Sequence, residues 1–454
     1  MIKKVALLSM ALISYFIIGC STGPDESEFI SNDNAIVSFR LNADSEWMPV
    51  EVYQDSLIFQ SPGGFKFTDV RADYVLTDNS TISPDPDSIK DWSVQLEFTL
   101  TAPDGITTRN YIYKPRINND GVEGFYSLNS QADVDAFTTK KLTKVFGISI
   151  NGTKENPITD LSALNTLKVV EFQLNINNFQ GKQLNGLNNL ERVANLNISG
   201  DSLETLHLDA LKEVNNLTVG YYGTSAEPSK APKLKAIYWN KLKVIHNSLI
   251  VSVLSLETFE GFSSLESIGG EATIRAGAPT LLGLDKLNKV YNLTLVLPNV
   301  ISLEGLGNLT TIDRELRLSF LNKLRTLDGS NINAVKYLNI NNCTNLSDIK
   351  ALRNIEELDV LFFSGLRNVT SLEGLHNLKR IKNSMEFVYL SELTNLDDLQ
   401  SLEGVGGSIA MRYCYALKDY CGISNTLQSF NGTWAVTSNG YSPTLEQVKT
   451  NCKQ

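Results

Sequence analysis

Leu184-Asn185-Gly186-Leu187-Asn188-Asn189-Leu190-Glu191-Arg192-Val193 is one of five stretches in the chain that fit (Leu/Phe)-x-Gly-(Leu/Phe)-x-x-Leu-x-x-(Val/Ile). The others run from 259 to 268, 281 to 290, 303 to 312 and 372 to 381. Recurrence of this kind marks a solenoid, in which each turn buries its apolar residues only against its neighbours. The repeat therefore decides the architecture of most of the chain. It says far less about what the exposed surface touches.

Three or four residues after each Val or Ile of the repeat comes an apolar-x-apolar pair, which alternation reads as a strand with both apolar side chains on one face. The pairs are Ile148 and Ile150, Leu174 and Ile176, Leu196 and Ile198, Leu217 and Val219, Leu249 and Val251, and Ala272 and Ile274. They continue through Leu293 and Leu295, Leu316 and Leu318, Leu338 and Ile340, Leu358 and Val360, Met385 and Phe387, and Ile409 and Met411. Twelve such rungs, about 4.8 Å apart, predict a stack on the order of 55 Å long. Their spacing clusters at 20 to 24 residues, the length of leucine-rich repeats. The longest gap, from Val219 to Leu249, holds Tyr221-Tyr222-Gly223 and Pro228 to Pro232 and reads as a projecting loop. A helix is expected before the first rung, N-capped by Asn129 or Ser130, with Ala132, Val134 and Phe137 as its apolar contacts, shielding the open end of the stack.

Upstream, residues 31–116 carry short alternating runs such as Ile36-Val37-Ser38-Phe39-Arg40-Leu41 and Val94 to Leu100, which read as strands. Ala102-Pro103-Asp104-Gly105 then turns the chain into a hairpin with Tyr111-Ile112-Tyr113. The predicted fold class is thus mainly β: an N-terminal β-sandwich, then a parallel leucine-rich-repeat or β-helix-like solenoid of about 12 rungs with an N-terminal capping helix. Its domains are a signal peptide at 1–19, an acidic tether at 20–30, the sandwich at 31–116, a linker at 117–128 and the solenoid with a C-terminal cap at 129–454.

Lys3 and Lys4 precede an apolar run from Val5 to Ile18, too short to span a bilayer but right for a signal-peptide core. Ile17-Ile18-Gly19-Cys20 resembles the bacterial lipobox, which implies cleavage before Cys20 and a diacylglyceryl group on its thiol. Two or three acyl chains, at roughly 0.8 kcal/mol per buried methylene, anchor a chain durably. Ser21 after the Cys resembles lipoproteins sorted to the outer membrane, and the acidic Asp25-Glu26-Ser27-Glu28 resembles export signals of surface lipoproteins in Gram-negative gut anaerobes. The stretch from Ile82 to Tyr113 resembles the immunoglobulin-like domain that serves such lipoproteins as a spacer.

Residues 20–116 carry 16 Asp and Glu against 7 Lys and Arg, a net of −9, so the acidity lies near the anchor and the solenoid is nearly balanced. Without Lys/Arg runs it lacks the footprint that phosphate-backbone binding needs, and nucleic acid is not an expected partner.

Ser130 to Phe137, the repeat itself, and the ending Tyr420-Cys421-Gly422-Ile423 with Ser442-Pro443-Thr444 and Cys452 resemble bacterial receptor-L-domain-type leucine-rich-repeat proteins. That resemblance covers residues 127–454. It implies a right-handed parallel solenoid used for extracellular binding or adhesion, and it carries no residue-level ligand motif.

Besides Cys20 there are four cysteines, in a compartment that permits disulfides. Cys343 and Cys414 occupy one slot three rungs apart, which Phe363 and Leu390 fill between them. Three rungs is roughly 14 Å, too far for a bond that needs its Cα atoms within about 7 Å. Both read as buried thiols, and Cys421 with Cys452 as the disulfide, Cys414 with Cys421 being the alternative.

Chemistry is sparse. His207, His246 and His376 lie in different repeats and away from partners at ligand spacing, so no metal site is expected and they read as surface residues. Asp85, Asp87 and Asp91 lack the Gly and Glu of a calcium loop and read as solvated. No nucleophile elbow, zinc-protease motif, phosphate-cradling loop or Cys-x-x-Cys is present, so no enzyme activity and no cofactor are expected.

Binding is the expected role, to an extracellular protein or, alternatively, to a glycan captured for an outer-membrane uptake system, with the membrane touched only through the lipid. The residue between each pair of anchors must face outward: Ser149, Asn175, Asn197, Thr218, Ile250, Thr273, Thr294, Arg317, Asn339, Asp359, Glu386 and Ala410, a mostly small and polar column without an aromatic stripe. A second column, with Phe320, Phe362, Tyr389 and Tyr413, is turned inward by the same alternation and reads as stacked core. The candidate binding residues are Tyr221, Tyr222, Tyr238 and Trp239, around the long insertion.

The lipobox yields the first prediction. Cys20→Ala abolishes metabolic labelling with a radioactive or clickable fatty acid and leaves uncleaved or released protein; undiminished labelling would exclude Cys20 as the attachment site.

Overall fold

The computed structural model describes residues 35–43, 46–53, 55–61, 65–77, 79–116, 125–220 and 231–452. The signal peptide, Cys20, the tether, most of the linker, and Tyr221 and Tyr222 lie outside the described residues. Among those described, no helix is long and apolar enough to cross a membrane. The chain is mainly β and divides into two compact units.

In the first unit seven strands follow one hydrogen-bonded path in the order Arg71–Leu76, Ile36–Ala43, Glu46–Tyr53, Ser56–Gln60, Thr108–Arg116, Leu96–Thr101 and Thr81–Ser83. The expected hairpin is present: Leu96–Thr101 pairs antiparallel with Thr108–Arg116. At its turn Gly105 has φ +70°, and the Asp104 carboxylate accepts from the amides of Ile106 and Thr107, both at 2.8 Å. Alternation buries one face, where Phe39, Leu41, Phe59, Trp92, Phe98, Tyr111 and Tyr113 form a single cluster. Tyr113 donates its hydroxyl to the Trp92 carbonyl at 3.0 Å, so this buried phenol is satisfied, whereas the buried Trp92 indole N–H has no hydrogen-bond partner among the described residues.

The second unit is a parallel β-solenoid between residues 125 and 437. Its main sheet runs as a ladder of 14 strands from Phe125–Leu128 to Thr433–Thr437. The twelve expected strands are all in it. Phe125–Leu128, placed in the linker from sequence, pairs parallel with Lys144–Asn151, because Tyr126 and Leu128 alternate toward the core. Thr433–Thr437, within the segment expected to be the cap, adds the last step. Leu174, Leu196 and Leu217 meet in register, as do Ile176, Ile198 and Val219, so each apolar column stacks on itself. The Val or Ile of the repeat forms a further buried column, Val170, Val193, Val214, Ile245, Ile268, Val290 and Ile312. At full burial each such side chain contributes roughly 1.5–3 kcal/mol.

One rung differs from the expected register. Leu338 pairs with Leu361 and Ile340 with Phe363, so the anchors there are Leu361 and Phe363 instead of Leu358 and Val360. Leu358-Asp359-Val360-Leu361-Phe362-Phe363 offers apolar-x-apolar twice, and Leu358 belongs to the Val/Ile column, against Ile381. The outward residue between the anchors is Phe362, not Asp359, and the slot shared with Cys343 and Cys414 is filled by Leu366.

The glycine of the repeat has a steric cause. A Cβ on Gly186 would lie 1.9 Å from the Leu161 carbonyl of the preceding turn, and one on Gly305 would lie 2.1 Å from that of Leu281, with φ +101° and +106°. Only hydrogen fits between successive turns, and the conformation is one that L side chains rarely adopt.

At the N-terminal side Ser130 caps the helix Gln131–Phe137 by accepting from the Asp133 amide at 3.2 Å, and Val134 and Phe137 are buried in the solenoid cluster while Ala132 is exposed. At the other end Cys421 and Cys452 form a disulfide with Cα atoms 5.2 Å apart, tying the helix Leu445–Asn451 back to the chain. Closing a loop of 31 residues stabilises by roughly 3–4 kcal/mol in the chain-entropy picture. Cys343 and Cys414 are free and buried, and burial pushes both thiols up to about 11. The Cys414–Cys421 alternative is therefore excluded.

The steric reading of the repeat predicts that Gly305→Ala lowers stability by about 3 kcal/mol or more. Gly404→Ala, where a Cβ would meet nothing within 4 Å, stays within about 0.5 kcal/mol of the parent. Urea midpoints of the two variants check this.

Candidate functional site

The strand face of the solenoid presents three outward columns. In the first turns they are amide ladders: Asn197 Nδ2 donates to Asn175 Oδ1 at 2.8 Å, Asn216 to Asn195 at 2.7 Å, and Asn177 to Asn151 at 2.9 Å. Ser248 Oγ donates to Asn216 Oδ1 at 2.8 Å and extends one of them. Further along, charges replace amides and pair locally, as in Glu315 with Arg317 at 2.8 Å and Glu386 with Arg412 at 3.4 Å. Thr273 and Ala410 in the central column are buried.

Immediately after the strands the backbone reverses hand. Asn178, Phe320, Asn342, Gly365, Tyr389, Tyr413 and Ser438 all have φ between +51° and +65°. Alternation fails at such a residue, because a left-handed backbone swings the side chain out of the pleat. Phe320, Tyr389 and Tyr413, read as core from alternation, are accordingly exposed, at 50%, 44% and 38%. Phe362, assigned to the same column, lies instead on the strand face and is half-buried.

Tyr389 and Tyr413 stack with ring centroids 4.8 Å apart and planes 12° apart. Tyr415, 59% exposed and not singled out from sequence, tilts against Tyr413 at 6.5 Å. A left-handed conformation costs a residue with a Cβ roughly 1–2 kcal/mol. The stacked pair returns about 0.5–1.5 kcal/mol, which offsets only part of the cost of two such residues. Phe320 has no ring stacked on it among the described residues and gets no such return. Strained, bulky and exposed side chains are a recognised signature of functional surface. A signal for this column was available in the sequence, since Asn178, Asn342 and Gly365, residue types that tolerate this conformation, occupy it in other turns.

Of the sequence-derived candidates, Tyr238 and Trp239 part company. Trp239 is fully buried and packs edge-on against Phe262 at 4.6 Å, so it is core and not a projecting aromatic. The reason is register: Ala236–Tyr238 is a strand paired with Thr205–His207 in a separate two-stranded sheet, and Trp239 follows it into the interior. Tyr238 is half-buried and stacks on His207 at 4.7 Å.

A shallow hollow of about 710 Å³ lies where the strand Tyr337–Asn341 begins late relative to its neighbours. Of its lining charges, Lys382 pairs with Asp359 at 3.2 Å and Glu356 with the neighbouring Lys379 at 2.8 Å. Asp85 and Asp91 accept from the amides of Asp87 and Ser93, holding turns. Among the described residues no three His, Cys, Asp or Glu side chains are grouped to hold a metal ion.

No protein-family model matches the chain, and neither does any curated protein sequence.

Burial separates the two aromatic neighbours energetically. Trp239→Ala lowers stability by about 3–5 kcal/mol, whereas Tyr238→Ala costs on the order of 1 kcal/mol; chemical denaturation measures both.

Proposed function

We propose that this chain is a non-enzymatic, lipid-anchored binding protein of the bacterial outer membrane that holds its solenoid outward to capture an extracellular ligand. Cys20 carries the lipid, and residues 20–30 are the tether. Residues 31–116 form an immunoglobulin-like β-sandwich acting as a spacer, a reading supported by the alternating strands and the single aromatic cluster around Trp92. Residues 129–454 are a receptor-L-type leucine-rich-repeat domain. The helix Gln131–Phe137 caps its first turn and the disulfide-tied segment after Thr437 caps its last.

The observation that carries the binding reading is the exposed aromatic group Phe320, Tyr389, Tyr413 and Tyr415, the first three held out of the core by a left-handed backbone at a conformational cost. Between the two ligand classes expected from sequence, an extracellular protein and a glycan, this group favours the glycan, because a sugar ring stacks on exposed aromatic faces.

The test is a pull-down from extracellular protein extracts run in parallel with a glycan array, using the chain without residues 1–20. Saturable capture of an intact ligand in either arm is the expected result. Capture in neither arm, or conversion of the ligand into products, would overturn the proposal.

A further inference from the structure

We propose that the face of Tyr389 turned toward Gly365 is a binding subsite for a neutral sugar ring. The inference rests on the binding reading above and narrows it to one place and one ligand chemistry. The chain passes from turn to turn through Gly365, Tyr389 and Tyr413, linked by the Gly365 amide donating to the Val388 carbonyl at 2.8 Å and the Tyr389 amide to that of Arg412 at 3.0 Å. Tyr413 covers one face of the Tyr389 ring. On the opposite side the column position is Gly365, which has no side chain to lie over it. Beyond Gly365 comes Asn342, whose Oδ1 would be 2.9 Å from a Cβ placed on Gly365, so this amide leans across the gap. Phe320 closes the column one turn further on, about 14 Å from the position of Tyr389 at three strand spacings.

The result is an aromatic face, a floor without side-chain bulk, and an exposed amide beside it, bounded by a second aromatic ring. A sugar ring needs this combination: its C–H face lies on an aromatic face while its hydroxyls exchange hydrogen bonds with a neutral group that both donates and accepts. Two residues past the column, successive turns carry Asn322, Thr344, Arg367 and Ser391, so neutral hydrogen-bonding groups flank the gap and one exposed guanidinium group lies in the Gly365 turn itself. A peptide is the weaker fit. The strands beside the gap are paired on both sides and leave no edge for strand addition, and the surface offers stacking faces in place of the deep pockets that anchor side chains.

Two substitutions test the site from opposite directions. Tyr389→Asn removes the ring and substitutes a residue type that this column already accommodates at Asn342. Gly365→Asn keeps every ring and places a side chain over the open face, in a conformation Asn tolerates. The full chain, in detergent, is titrated against immobilised neutral glucan, mannan, xylan and galactan oligosaccharides, with thermal melting of each variant alongside. The parent is expected to bind at least one of them. Both variants should stay folded at the assay temperature and weaken it roughly tenfold or more, the scale of one hot-spot side chain, with Gly365→Asn melting somewhat lower because its Cβ must displace the Asn342 amide. Undiminished binding by both variants would overturn the site while leaving the binding reading standing. Failure of the parent to bind any neutral oligosaccharide would overturn the sugar assignment, and an immobilised peptide array in the same experiment then decides whether the aromatic face serves a protein ligand.

Discussion

In-register parallel stacking brings every residue of the solenoid against its counterpart one turn away, so each column has to be compatible with itself. Leucine and isoleucine columns satisfy this by dispersion and burial, and they make the core continuous from Leu128 to Val448. Asparagine satisfies it because its amide both donates and accepts, so Asn151, Asn177 and their neighbours bond along the axis. Charges gain from it where they alternate in sign, as Glu191 does with Lys212, Lys243 with Glu266, and Glu356 with Lys379, although Lys212 and Lys243 follow one another as like charges. The exposed pairs contribute little individually, about 0–1 kcal/mol. A run of one sign would instead be repulsive at every step.

The same constraint explains what could be read from sequence. Self-compatible columns leave a periodic record, and all twelve proposed strands are real because anchors such as Leu196 and Ile198 recur at nearly fixed spacing. The slip at Leu358 came where six residues offered two equally apolar pairs, and only pairing with Leu338 decides between them. Phe125–Leu128 and Thr433–Thr437 carry less of the repeat, since a terminal turn has one neighbour instead of two. Trp239 departs from its expected place because a large aromatic beside an insertion looks the same in sequence whether it projects or packs.

The aromatic surface was hidden for a different reason. Alternation is a property of extended backbone, and the column position lies one residue beyond it, where the chain has already turned left-handed. Nothing in Phe320, Tyr389 or Tyr413 themselves announces this, because bulky residues are the least expected there. The information lay across the column, in Asn178, Asn342 and Gly365.

The polar and aromatic parts of the surface also differ in what they leave available to a ligand. Along the first turns the outward amides are used by one another, and a ligand would have to break Asn197–Asn175 or Asn216–Asn195 to gain a hydrogen bond of similar strength. Exchange of that kind yields little net affinity. In the turns from Phe320 to Tyr415 the exposed groups include rings whose apolar faces are still wet, and covering them removes apolar area from water without an equivalent loss. Stacking has therefore sorted the surface into a self-satisfied part and one that keeps apolar area exposed, and that area lies where the column rule is broken.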